Sequence, residues 1–217
     1  MAPHVVITGA SRGVGAALRQ AYMSAGWDVT GTSRAGGDGL QAVEMTDAAA
    51  ITAFAAGLNG RPVDLLICNA GVYLDKGEGD LETGYPAAMW AEQLSVNVTA
   101  PFLCVQALLA NLRAAHGKVA ILSSQMASST LAKGNAIIYR ASKAAVLNVG
   151  LNLATALKDD NIPVGIYHPG WVRTDMGGAT ASIAPDEAAK GLKSRFDALS
   201  LANTACFETW DGTQHPI

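Results

Sequence analysis

Tyr139 and Lys143 stand four residues apart in the stretch A-I-I-Y-R-A-S-K-A-A-V-L-N-V-G-L-N-L-A, which carries apolar side chains at helical spacing and no proline. On a helix, positions i and i+4 share a face with their Cβ atoms about 5–6 Å apart, so this phenol and ammonium can share one pocket. The chemistry open to them is proton exchange. A free tyrosine titrates near pH ~10; a neighbouring cation lowers that value and burial alone raises it. Bringing it down by roughly three units takes about 4 kcal/mol. A solvent-exposed pair does not supply that much, so the pair makes chemical sense only in a cleft with a second positive charge nearby. Taken alone, a Y-x-x-x-K spacing also describes ordinary helix neighbours, and the rest of the chain has to decide.

The elements that must position the pair alternate along the chain. Residues 4–8 (H-V-V-I-T) form a short β-branched run of the kind buried in parallel sheets. This run leads into T-G-A-S-R-G-V-G, with Gly9, Ser11, Arg12, Gly13, Val14 and Gly15, and then into a helical stretch. Strand, glycine-rich turn and helix together suit a pyrophosphate, because the backbone can approach closely and the helix N-terminus offers free N–H groups. The same turn could also be only a tight strand–helix connection. A second strand over residues 27–33 ends in Ser33 and Arg34, with no acid at the point where a carboxylate would accept a hydrogen bond from the ribose 2′-hydroxyl. Arg34, joined by Arg12, favours a 2′-phosphate there and hence NADP(H) over NAD(H); as a bland alternative, Arg34 is a solvated loop residue. Glu44 follows a possible short strand over residues 40–45.

Residues 63–68 repeat the buried-strand pattern and close on Asn69, Ala70 and Gly71. Residues 75–86, rich in Gly, Asp and Glu, read as a solvated loop. Helices are expected over residues 86–99 and 101–116, the first containing Asn97. A buried amide must be hydrogen-bonded, so Asn97 is either a structural pin or a relay element. A strand over residues 117–124 ends in Ser123 and Ser124, and a hydroxyl-rich loop precedes the Tyr139–Lys143 helix, which is expected to run to about residue 159. A strand over residues 161–168 stops at Pro169 and Gly170; a helix over residues 186–199 and a last strand within A-C-F-E-T-W-D-G follow. This alternation implies an α/β, Rossmann-like doubly wound and mostly parallel sheet with helices on both faces, in one domain over residues 1–217. Ligands of such sheets bind outside the carboxyl ends of the strands. The glycine turn, Asn69–Gly71, the two serines and the Pro169–Thr174 segment all fall at those ends.

Composition narrows the function further. Half of the 217 residues are hydrophobic, 15% are charged and 23 are glycine, which is the profile of a chain with much buried strand. A formal charge of −3 offers no basic patch and argues against nucleic acid. No apolar run is long enough to cross a bilayer, and residues 1–4 lack the pattern of a signal peptide. Cys68, Cys104 and Cys206 lie far apart in apolar segments and read as reduced core residues of a cytoplasmic protein, with no metal site.

Taken together, T-G-A-S-R-G-V-G, Asn69–Gly71, Asn97, the paired serines, Y-R-A-S-K and H-P-G-W-V-R-T-D-M resemble the short-chain dehydrogenase/reductase family in its single-domain form, across residues 5–176 and in the family's order. Y-R-A-S-K-A-A, H-P-G-W-V-R-T-D-M-G-G and the late W-D-G look most like its C-factor-like, sniffer-like carbonyl reductase branch. The resemblance implies hydride transfer between a nicotinamide and a carbonyl or alcohol carbon of a small molecule. In that scheme Tyr139 is the acid/base. Lys143 lowers the Tyr139 pKa and holds the ribose, Ser124 orients the substrate oxygen, and Asn97 anchors a water linking Lys143 to solvent. Pro169, Gly170, Val172 and Thr174 line the nicotinamide. The gap from Ser124 to Tyr139 is longer than the family's commonest spacing, which keeps Ser123, and more remotely Ser128, as alternatives. Glu44 replaces the aspartate more usual beside the adenine. The short segment between Thr174 and Pro185 implies a small lid and an open site. The branch also implies a second reading, an NAD(P)-binding signalling or regulatory protein that depends little on turnover. The apolar faces of helices 101–116 and 139–159 resemble the family's homo-oligomer surface and could equally be core.

Overall fold

The strands that carry the fold are short and sort their side chains strictly by parity. In the computed structural model, which describes residues 2–217, Val5 and Ile7 of β1 (His4–Ile7) face one side of a sheet, and Val6 faces the other. The same alternation separates Leu65 and Ile67 from Leu66 and Cys68 in β4 (Leu65–Cys68), and Ala120 and Leu122 from Val119 and Ile121 in β5 (Lys118–Leu122). Because successive strand residues point to opposite faces, these runs are apolar throughout and need a helical layer on each side.

The remaining strands are β2 (Asp28–Ser33), β3 (Leu40–Ala42), β6 (Val164–His168) and β7 (Phe207–Thr209). The sheet order is β3-β2-β1-β4-β5-β6-β7, and every neighbouring pair is parallel. On one face, α1 (Gly13–Ser24) and α7 (Pro185–Ala198) pack through Leu18, Tyr22, Leu192 and Phe196. On the other lie α2 (Ala48–Gly57), α4 (Ala100–Ala107), α5 (Leu109–Ala115) and α6 (Ile137–Ala156), with Ile51, Val105, Leu112 and Val146 in the core. The chain winds outward from β1 in both directions. The carboxyl ends of β1 and β4 therefore flank the point where the strand order reverses, the place where such sheets bind ligands. The expected Rossmann-like architecture is observed, and the sheet is parallel throughout.

Several boundaries differ from the expectation for physical reasons. The helix expected over residues 86–99 is α3 (Ala87–Leu94), continued by a π turn at Ser95–Thr99 that contains Asn97. The helix expected over residues 101–116 is broken at Leu108, where α4 and α5 meet at 57°. α6 starts two residues before Tyr139 and ends at Ala156. Residues 75–86 do form a loop, but Asp75 is only 1% exposed and so is not solvated. The apolar faces of α4 and α6 belong largely to the core, while Phe102 on α4 stays exposed. Among the described residues no single helix is long and apolar enough to cross a membrane.

Leu66 is fully buried in the larger core cluster. Leu66→Ala is expected to cost about 2–5 kcal/mol, the range for buried leucines that leave a cavity. Urea unfolding monitored by circular dichroism measures it, and a loss below about 1 kcal/mol would mean that the sheet does not depend on this layer.

Candidate active site

At the carboxyl edge of the sheet, side-chain hydrogen bonds tie the end of β1 to the end of β4. Thr8 Oγ1 accepts from the amides of Asn69 and Ala70, at 3.0 Å each. Asn69 Nδ2 donates to the carbonyls of Thr8 and Gly9 at 2.9 Å. The glycines are needed for close approach. A Cβ on Gly9, where φ is +68°, would sit 2.9 Å from Ala70 Cα, and one on Gly15 would sit 2.2 Å from the Gly9 carbonyl oxygen. A groove of about 1000 Å³ runs across this junction.

Its walls include the predicted residues Gly9, Ser11, Arg12, Gly13, Val14, Gly15, Arg34, Asn69, Ala70, Gly71, Tyr139, Lys143, Pro169 and Thr174. Four others are not brought to the wall: Gly170, Val172, Asn97 and Ser124, whereas the alternative Ser123 does line it. Gly170 turns the chain beside Ile183 and Trp210, and Val172 is buried in a backbone bridge to Ile183. The Thr174 hydroxyl is also turned inward, donating to the Val172 carbonyl at 3.3 Å and accepting from the Gly177 amide at 3.0 Å. The groove walls suit a dinucleotide. At the end of β2, next to Arg34, Thr32 presents a buried hydroxyl oxygen with no protein partner. Glu44 also lines this end, where its Oε1 accepts from the Thr46 amide and hydroxyl at 3.0 Å.

At the other end stand Tyr139 and Lys143, both buried. Lys143 Nζ lies 5.7 Å from the Tyr139 ring centre and donates to the Leu122 carbonyl at 3.0 Å. Burial pushes the lysine down to about 8. Burial likewise pushes the phenol up; the Ser124 hydroxyl pulls it the other way, and Tyr73 and Asp75 add to the rise. The expected lowering by Lys143 is therefore not built into these residues alone, because desolvation disfavours both charges. The two serines divide their tasks. Ser124 faces the phenol and caps the following turn by accepting from the Met126 amide at 3.1 Å. Ser123 donates to the Lys143 carbonyl at 2.9 Å and fastens α6 to β5. Ser128 is paired with the Thr130 hydroxyl.

Asn97 is 1% exposed and its carboxamide is fully engaged. Oδ1 accepts from the Val72 amide at 2.8 Å; Nδ2 donates to the Val72 carbonyl at 2.9 Å and to Ser142 Oγ at 3.0 Å. The side chain thus acts as a pin between the β4–α3 connection and α6. It remains beside the ammonium: a Cβ on Gly71 would lie 3.3 Å from Asn97 Oδ1 and 3.5 Å from Lys143 Nζ.

Four neighbours, Tyr73, Lys76, Asp175 and Met176, were given no role by the sequence. Tyr73 stacks on Tyr139 with ring centres 4.2 Å apart. Met176 places its sulfur 4.0 Å from the phenol oxygen, and its carbonyl accepts from Lys76 Nζ at 2.8 Å. Asp175 pairs with Arg12 at 2.6 Å, with both side chains more than 70% exposed. Tyr73 and Lys76 lie in no recognised motif, whereas Asp175 and Met176 close H-P-G-W-V-R-T-D-M but carried no assigned role there.

Comparison with known proteins agrees with this geometry. Residues 3–183 match the family described as short chain dehydrogenase. The chain is similar to the C-signal of Myxococcus xanthus, with 34% identity over 167 residues that cover 76% of this chain and 98% of that protein. It is similar to the 1-hydroxy-2-glutathionyl-2-methyl-3-butene dehydrogenase of Rhodococcus sp. (strain AD45), with 30% identity covering 96% of this chain and 97% of that one. The crystal structure of NADPH bound carbonyl reductase from chicken fatty liver superposes with a TM-score of 0.89 at 26% identity, covering 100% of this chain and 99% of that one.

The buried lysine gives a stability prediction. Its folded pKa of about 8 lies below the ordinary value of 10.5, so at neutral pH the folded state carries the whole cost of burying the charge. Between those two values the folded state releases its proton before the unfolded state does, and wild-type stability rises with pH. A shift of that size corresponds to about 3 kcal/mol. Lys143→Met is expected to unfold at higher denaturant than the wild type at pH 7, with the gap narrowing as pH climbs through that window. A gap independent of pH would mean that Lys143 is well solvated.

Proposed function

Because the chain belongs to the short-chain dehydrogenase/reductase family and is thus an NAD(P)-dependent oxidoreductase, we propose that it acts as an NADPH-dependent reductase of small-molecule carbonyls, or in reverse as an alcohol dehydrogenase. The observation that carries this reading is the meeting of Tyr139 and Lys143, with Ser124 facing the phenol, at the inner end of a glycine-walled groove whose outer end is lined by Arg34, Thr32 and Arg12.

In this reading the bound coenzyme supplies the hydride in reduction and accepts it in oxidation. The Ser124 hydroxyl donates to the substrate oxygen and fixes its direction. Tyr139 Oη gives its proton to that oxygen as negative charge develops on it, and takes the alcohol proton back in the reverse direction. Lys143, held by the Leu122 carbonyl, presents its remaining N–H groups toward the groove, where ribose hydroxyls are the fitting acceptors. The raised phenol pKa suits the donating role. Lowering it for the accepting role requires the positive charge of the oxidised nicotinamide. Asn97 contributes by pinning Val72 and Ser142 on either side of the ammonium. Tyr73 and Met176, packed on the phenol, close the substrate end with apolar surface. NADP(H) is preferred over NAD(H), supported by Arg34 with no acid at its side and by the NADPH bound in the chicken carbonyl reductase. The outward faces of α4 and α6, with Phe102 exposed, are the proposed surface for self-association.

A second reading, a nucleotide-binding regulatory protein, draws on the likeness to C-signal. Such a protein has no need of Ser124 and Tyr139 facing each other, and the two readings part on one variant. With NADPH and a panel of aldehydes, ketones, quinones and diketones, Tyr139→Phe is expected to lower kcat by about 10²–10⁴-fold while NADPH affinity stays within about twofold. Turnover that survives this substitution would exclude the proposed acid. A cellular phenotype rescued equally by wild type and Tyr139→Phe would favour the regulatory reading.

Arg12 reaches a 2′-phosphate only by leaving Asp175. An exposed ion pair is worth about 0–1 kcal/mol, so Asp175→Asn is expected to tighten NADP⁺ binding by up to about fivefold and to leave NAD⁺ binding unchanged. Equal effects on the two coenzymes, measured by fluorescence titration, would remove Arg12 from the phosphate site.

A further inference from the structure

The most deeply buried carboxylate of the site belongs to neither the groove wall nor a recognised motif. Asp75 sits in the β4–α3 connection, 1% exposed, and receives three different N–H groups. Oδ2 accepts from the Ile138 amide at 2.8 Å; the Tyr139 amide lies 3.2 and 3.3 Å from the two carboxylate oxygens. Gln93 Nε2 on α3 donates to Oδ1 at 3.1 Å, and Gln93 Oε1 accepts from the Leu74 amide at 2.5 Å. The first amides of a helix have no partner within it and carry its positive end, so a carboxylate there is favoured twice over. Here the cap comes from a distant segment. Ala136, which precedes α6, makes no side-chain cap and sits at φ +51°.

We propose that Asp75 is a positioning residue for the reaction: its carboxylate holds the first turn of α6, and through it the Tyr139 phenol, in place against Ser124 and beneath Tyr73. This rests on the reductase reading given above. Two side chains one helical turn apart, Gln93 and Asn97, clamp the connection that carries Asp75, binding residues 72, 74 and 75. Asp75 passes that constraint on to the backbone of the acid itself. Tyr73, between the two clamps, is thereby set flat on the Tyr139 ring.

The Asp75 carboxylate also acts on the phenol through its charge. The groups that face Tyr139 are Ser124 at the end of β5, Lys143 on its own helix, Tyr73 and Asp75 from the β4–α3 connection, and Met176 from the loop after β6. Of these Asp75 alone brings an acidic carboxyl group, which opposes phenolate. Asp75→Asn keeps a carbonyl oxygen for one amide and removes the charge; Asp75→Ala removes both.

With NADPH and a carbonyl that the wild type reduces, Asp75→Ala is expected to lower kcat by about tenfold or more with NADPH affinity unchanged, a split that places the defect in the acid and not in the groove. Asp75→Asn is expected to recover kcat to within about threefold of wild type. In the alcohol-oxidising direction its pH–kcat profile should move toward lower pH, because phenolate no longer faces a like charge. A helix cap with no part in the reaction would restore kcat in Asp75→Asn but leave that profile on the wild-type curve, and this result would overturn the proposal. Wild-type kcat in Asp75→Ala would overturn it as well; should that variant fail to fold, the Asp75→Asn profile decides. A wild type that turns over no carbonyl with NADPH would defeat the reductase reading itself, and this inference with it, whereas normal variants of an active enzyme defeat this inference alone.

Discussion

Desolvation of a phenol and an ammonium one helical turn apart is the constraint on which the site depends. Water would stabilise both charged forms, and the fold removes it: Tyr139 and Lys143 are each less than a tenth exposed. In such surroundings both groups favour their neutral forms. That is a costly arrangement for a stable fold and a useful one for moving a proton, since a neutral phenol is ready to donate. The Leu122 carbonyl, the Ser124 hydroxyl and the edge of the sheet are what the protein sets against the cost. Lys143 still carries its proton at neutral pH, and the second positive charge enters from outside the chain, with the oxidised coenzyme.

Placement follows from topology. All seven strands among the described residues run the same way, so the carboxyl ends of β1, β4, β5 and β6 lie along one edge. Four sequence segments far apart in the chain meet there because each directly follows a strand. Hydrogen bonds of Thr8 and Asn69 then lock the first two of these segments together, and Ser123 locks α6 to β5. The groove is thus a consequence of strand direction, and its chemistry a consequence of which side chains sit just past each strand.

What could be read from the amino-acid order follows the same division. β1, β4 and β5, buried on both faces, announce themselves as unbroken apolar runs, and the glycine turn and Tyr139–Lys143 spacing announce the two ends of the groove. The Asp75 cap was invisible. Residues 75–86 are polar and glycine-rich in bulk, and no composition reading distinguishes the one carboxylate that turns inward to meet two amides more than sixty positions later. The break at Leu108 has no Gly or Pro to announce it, whereas the π turn around Asn97 runs directly into Pro101, whose missing N–H disturbs the helical ladder. The separate partners of Ser123 and Ser124 needed three dimensions, because adjacent residues past a strand face opposite ways. Pro169 and Thr174 reach the groove while Gly170 and Val172 do not, a distinction set by the turn of that loop.

Hydride delivery at the inner end of the groove is the step on which every assigned role depends. NADPH carrying deuterium at the transferring position, supplied in a single turnover with a carbonyl that the protein reduces, tests it directly. Mass spectrometry of the product should find the deuterium on the new carbinol carbon, on one face only, with turnover slowed by the label. Deuterium retained by the coenzyme, or a product whose carbinol hydrogen comes from solvent, would contradict the account.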